Sequence, residues 1–191
     1  MVEIDSDAVD VIVHEGEAMS VRDMLTVFER YHQDRPGVPL AAVEEYARTM
    51  DDRPDYRLDV EGFLGDVRGQ LTAEEDWVDT DHFYELEGDR ISQYPAAWHA
   101  ELGGETDPVR YLRFFRDVAP EYLDDLQEGG QGIGIPKDTL TKMIQVLGRV
   151  DRDEAAGAIA EADDAGYIKQ NPDQHPQADV YLAEDADERR D

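Results

Sequence analysis

The chain has 191 residues, and 47 Asp and Glu against 18 Lys and Arg leave a formal net charge of −29. At 40% hydrophobic and 8% aromatic it holds enough apolar material for a core, which excludes a wholly disordered acidic chain. The lack of cysteine excludes a disulfide scaffold or thiolate metal site, and with neither a membrane-length apolar run nor a secretory-type start in Met1 to Asp10, a cytoplasmic protein is expected.

In chain order, Met1 to Asp10 carries little helical pattern and is expected to fray. Ser20 is a good N-cap, and Val21, Met24, Leu25, Val27, Phe28 and Tyr31 repeat near the 3.6-residue helical period. Asp34-Arg35-Pro36-Gly37 ends that helix. A second helix is predicted from Val38 to Met50 on Leu40, Val43, Tyr46 and Ala47, and a third from Asp59 to Leu71 on Val60, Phe63, Leu64 and Val67. Trp77-Val78 and Phe83 to Leu86 then read as two strands around the turn Asp79 to His82. A fourth helix is predicted from Arg90 to Leu102, carrying Ile91, Tyr94 and Trp98, and Gly103-Gly104 marks a domain boundary.

The second half follows the same order. Asp107-Pro108 caps a helix on Val109, Leu112, Phe115 and Val118, Pro120 breaks it, and Glu121 to Leu126 continues it. Gly129 to Gly134 reads as a flexible loop. Helices are predicted over Lys137 to Leu147 and Asp151 to Ala165, then strands at Tyr167 to Lys169 and Val180 to Leu182 around a polar tip. Ala183 to Asp191 reads as a disordered acidic tail. Four short segments echo between the halves: Val21-Arg22 with Val109-Arg110, Gly37-Val38-Pro39 with Gly134-Ile135-Pro136, Asp76-Trp77-Val78 with Gly166-Tyr167-Ile168, and Phe83 to Leu86 with Asp179 to Leu182.

Three helices followed by a β-hairpin, repeated, resemble the winged-helix superfamily of helix-turn-helix proteins. The expected fold class is mostly α with small β-hairpins, as tandem winged-helix modules over 12–102 and 106–182, with the tail at 183–191. The second module, from Ile135-Pro136-Lys137 through Gly166-Tyr167-Ile168, is similar in pattern to the C-terminal winged helix of archaeal minichromosome maintenance helicases. The composition also resembles that of cytoplasmic proteins from salt-in halophiles, haloarchaea above all. Acid is spread along the whole chain, and Lys137, Lys142 and Lys169 are its only lysines. Self-repulsion at such charge opposes compaction in dilute buffer, whereas at 1 M salt the Debye length falls to about 3 Å.

Motifs for chemistry are missing. Ser6, Ser20 and Ser92 sit in no Gly-x-Ser-x-Gly elbow. Gly130-Gln131-Gly132-Ile133-Gly134 follows a helix and precedes Pro136, unlike a dinucleotide or P-loop. Asp79-x-Asp81 starts like a calcium loop but continues with Phe83 and Tyr84, where an oxygen ligand and a glycine are needed. The five histidines show no zinc spacing. No catalytic residue, metal or cofactor is expected.

The expected function is therefore binding: a non-enzymatic DNA-binding regulator of transcription or replication at high salt. The residues that point to DNA are Lys137, Lys142, Arg149 and Arg152 in the least acidic stretch, with Lys169, Gln170, Asn171, Gln174 and His175 in the wing, all able to meet phosphates or base edges. The alternative is a winged-helix adaptor between proteins, without DNA. Glu154, Glu161, Asp163 and Asp164 on one would-be recognition helix, and Glu61 and Asp66 on the other, favour that alternative. Tyr111, Phe114 and Phe115 nearly encircle their helix and offer a partner or homodimer surface.

Overall fold

The computed structural model describes residues 3–15, 19–126, 134–170 and 178–187. It is a mixed α/β fold in which helices predominate and the sheets are small. The chain divides into two compact units, Met1–Glu101 and Leu102–Asp191.

The first unit opens with α1 (Ser6–Glu15), where the sequence suggested fraying. Ala8, Val9 and Ile12 fall on one face and are buried, so the short helix is held by packing rather than by propensity. Helix α2 (Val21–Arg30) starts at a capping box: the Ser20 hydroxyl accepts the Asp23 amide while the Asp23 carboxylate accepts the Ser20 amide. Strand β1 (Val38–Pro39) leads directly into α3 (Leu40–Asp51), and α4 (Val60–Gly69) is capped by Asp59. The strands are β2 (Leu71–Thr72), β3 (Phe83–Leu86) and β4 (Arg90–Ser92), in the sheet order β1-β4-β3-β2, with β2 parallel to β3 and the other pairs antiparallel. Helix α5 (Ala96–Leu102) follows. Leu25, Phe28, Val43, Tyr46, Met50, Val67 and Phe83 fill the core, where the Phe28 and Tyr46 rings stack at 4.2 Å.

Two predictions fail here. Trp77-Val78 is not a strand; Trp77 instead stacks on Trp98 at 5.0 Å, and the Val78 amide donates to the Tyr84 hydroxyl. Arg90 does not begin a helix. Residues Arg90–Ser92 pair with both β1 and β3, and the helix waits until Ala96, after Pro95. The β3–β4 turn is Glu87-Gly88-Asp89, with Gly88 at φ 80 and Asp89 at φ 55, conformations suited to a tight hairpin.

The second unit contains α6 (Pro108–Asp117), α7 (Pro120–Leu126), β5 (Ile135–Pro136), α8 (Lys137–Gly148), α9 (Arg152–Asp164), β6 (Ile168–Gln170), β7 (Asp179–Leu182) and α10 (Ala183–Asp187). Asp107 caps α6 ahead of Pro108, and Asp151 caps α9. The sheet order is β5-β7-β6, all antiparallel. Tyr111, Phe115, Leu140, Met143, Ile144, Leu147, Ile159 and Val180 are buried. The expected disordered tail is helical through Asp187. The predicted loop at 129–133 and most of the wing tip lie outside the described residues.

The two units repeat one plan: helix, two-residue strand, helix, helix, hairpin. Val38 faces Ile91 as Ile135 faces Val180, and the next helix is anchored alike, Leu40 N–H to Asp89 O at 2.9 Å and Lys137 N–H to Ala178 O at 3.0 Å. This register corrects the echo of Phe83 to Leu86 with Asp179 to Leu182: the counterpart of β7 is β4.

Candidate functional site

Each half of the plan places a helix, α4 or α9, beside a hairpin, and the candidate nucleic-acid residues belong to the second. Lys137 opens α8 and is half-buried. One turn on, Lys142 is committed to an ion pair with Asp138 at 2.8 Å. Arg149 terminates α8 in the left-handed conformation at φ 58, and Arg152 is exposed at the first position of α9. Lys169 is exposed on β6 opposite Tyr181, while Gln170 donates its side-chain amide to the Asp163 carboxylate at 2.9 Å. Asn171, Gln174 and His175 lie outside the described residues.

These groups are spread over α8, the α8–α9 turn and β6. The exposed positions of α9 carry Arg152 but also Asp153, Glu154, Glu161 and Asp164. The corresponding face of α4 exposes Glu61 and Asp66, and its Arg68 pairs with Glu44 of α3. Both helices therefore expose more carboxylates than arginines among their described residues.

Tyr111, Phe114 and Phe115 are not a surface. Their relative exposures are 0%, 8% and 0%, with Phe115 packed on Phe114 and Tyr122 and the Tyr111 hydroxyl donating to Glu105 O at 2.8 Å. The helix is apolar on most sides because α7, α8, α9 and β7 surround it. Its remaining side carries Arg110, Arg113 and Arg116, three residues apart, a stripe the sequence reading passed over. Arg116 is chelated by Asp117 at 2.7 and 3.1 Å and reaches Glu184 at 3.0 Å and Asp185 at 3.1 Å, while Arg113 lies 3.8 Å from Glu184.

A second missed feature is a buried polar cluster in the first unit. Glu29, one turn after Leu25 on the apolar face of α2, is 3% exposed. Its Oε2 accepts the Gln93 amide at 3.1 Å, while Oε1 has no hydrogen-bond partner. Burial pushes the carboxyl up to about 7, against the pull of Ser92, Gln93 and the Arg22 charge. Beside it, Ser92 Oγ lies 2.8 Å from His99 Nε2 and accepts the Tyr94 amide at 3.0 Å. Both side chains are buried, and this serine–histidine pair ties β4 to α5. Arg22 completes the knot: its guanidinium donates to Thr80 O, His82 O and Gln93 O and lies over the Trp77 ring at 5.9 Å.

Among the described residues no group of three or more His, Asp or Glu is placed to hold a metal ion, and no helix is long and apolar enough to cross a membrane. Asp79, first residue of the calcium-like stretch, instead accepts the Asp81 amide at 2.8 Å and binds His82 Nδ1 at 2.6 Å. That is an Asx turn. No family model, curated protein or solved structure matches the chain.

Proposed function

We propose that the chain is a tandem winged-helix protein that acts by binding other proteins, as a non-catalytic adaptor working at high salt. The shared plan supports the winged-helix reading: a helix, a short strand that pairs with the far hairpin strand, two helices, then the hairpin, with β1-β4-β3 of the four-stranded first sheet matching β5-β7-β6 of the second. The acidic exposed face of α9 carries the adaptor reading. In the helix-turn-helix mode this element enters the major groove, and Asp153, Glu154, Glu161 and Asp164 would there oppose phosphate. Molar salt softens that repulsion but also weakens the counterion release that favours non-specific DNA binding.

One observation favours DNA as a second reading. Arg152 and Lys169 are both exposed, one at the start of α9 and one on the wing strand. Fluorescence anisotropy with a labelled mixed-sequence duplex, across a salt series in which the chain stays folded, separates the two readings. The adaptor reading expects no binding by the unmodified chain. Binding that is lost in Arg152→Glu/Lys169→Glu reverses the assignment to DNA.

A further inference from the structure

We infer that the arginine side of α6 is a docking surface for an acidic helical segment of a partner protein, and that α10 occupies it as an internal stand-in. Within a chain so short of cations, Arg110, Arg113 and Arg116 share one helix. Two of them receive carboxylates from the short terminal helix, through Glu184 on both and Asp185 on Arg116. The guanidinium fork suits planar, two-point recognition of carboxylates; on Arg116 its neighbour Asp117 takes the two-point contact, while Glu184 and Asp185 each meet the single nitrogen Nη1.

Three large apolar side chains are exposed among the described residues, and two of them belong to residues next to α6 or bonded through the backbone to α10. Val118, 64% exposed, is the residue that caps α6 immediately after Arg116-Asp117. Tyr167, 66% exposed, accepts at its carbonyl the amide of Ala183, the first residue of α10. Exposed tyrosine and arginine together are the residue types that most often dominate protein interfaces.

A partner on this surface must displace α10, which is also tied to Tyr167 through the Ala183 amide. Helix α10 has five residues, too few to be stable alone, and its ion pairs are partly exposed and of the kind that contributes little. A partner helix offering carboxylates at the same spacing, with an apolar side for Val118 and Tyr167, would gain what α10 lacks. The inference rests on the adaptor reading and names the chemistry of one partner.

The test is anisotropy of a labelled amphipathic peptide of Glu, Ala and Leu, in salt that keeps the chain helical by circular dichroism. Glu184→Gln/Asp185→Asn, which removes the α10 carboxylates from the clasp and leaves Asp117 on Arg116, is expected to bind the peptide about fivefold more tightly than the unmodified protein. Adding Arg113→Gln/Arg116→Gln should abolish binding. Tyr167→Ala, a change at an exposed site, should weaken it while leaving the melting curve in place. Equal affinity with and without the α10 carboxylates, or no binding at all, overturns the inference but leaves the adaptor reading to the α9 face. Tighter binding of labelled duplex DNA than of peptide by Glu184→Gln/Asp185→Asn reassigns the surface to phosphodiesters. DNA binding by the unmodified chain is the result that sinks the adaptor reading itself.

Discussion

Glu29 is the residue whose energetics depart furthest from its surroundings. Nearly all the other carboxylates of the first unit are in contact with water; this one is enclosed, with one oxygen bonded and the other not. Its carboxyl rises from 4.5 to about 7 in the folded chain because burial penalises the charge. The folded state therefore holds a proton that the unfolded chain releases between those values, and stability falls as pH rises from 4.5 to about 7. The full effect is on the order of 3 kcal/mol. Glu29→Gln keeps an oxygen for the Gln93 amide and never ionises, so its advantage over the parent should be small near pH 4.5 and grow to a plateau above pH 7. Urea unfolding of both proteins at constant salt measures this; a pH-independent difference would mean the carboxyl is not enclosed as described. Residues of this kind were poorly legible in the sequence. A lone Glu beside Leu25 and Phe28 hinted at burial, but nothing in the spacing showed that Ser92, Gln93 and His99 would gather around it. Ser92 and Gln93 arrive at the end of β4, in a stretch predicted to be helical, and His99 comes from α5.

At the scale of elements, legibility followed length and capping. The helices starting after Ser20, Asp59, Asp107 and Asp151 were readable because a side-chain cap and an apolar face agree, and the structure shows all four caps made. Of the strands, Phe83–Leu86 was read as it stands and the β6–β7 hairpin to within a residue, whereas β1, β2, β4 and β5 were not, since two or three residues cannot display a period. Ile91 fits a helical face as well as a strand; what decides is that β1 and β3 both have pairing edges to offer it. The same short pairings create the tightest backbone approach in the first unit. Gly37 adopts φ 69, and a Cβ there would stand 2.5 Å from Ile91 O. In the second unit a Cβ on Gly134 would stand 2.8 Å from the Asp179 Cβ and 3.0 Å from Val180 O. Gly37→Ala combines a left-handed backbone with a backbone clash, and should destabilise the chain by about 2–3 kcal/mol. A thermal melt reads the loss. A Gly37→Ala protein that melts with the parent would show that β1 does not press against β4, and the common plan of the two units would lose its anchor in the first.

For the molecule as a whole the governing quantity is the charge, −29 over 191 residues. The cores of both units are ordinary in composition, built from Leu, Ile, Val, Phe, Met and Tyr. Burying one such side chain contributes about 1.5–3 kcal/mol, and net stabilities are only about 5–15 kcal/mol, so moderate self-repulsion can decide whether the chain folds. The ion pairs do little to relieve it, because the 18 cations are far outnumbered and most pairs are solvent-exposed. On the high-salt reading, screening supplies the rest. The Debye length shortens from about 10 Å at 0.1 M to about 3 Å at 1 M, so repulsion between neighbouring surface carboxylates is mostly removed over that interval. Circular dichroism should accordingly show helix lost on dialysis into dilute buffer, and a Tm that climbs steeply with KCl up to about 1 M and slowly beyond it. A climb that continues undiminished to higher salt would point instead to strengthened apolar burial or to ion hydration at the acidic surface. A Tm that is level from dilute buffer upward removes self-repulsion as a limit on folding, and with it the high-salt reading of the composition.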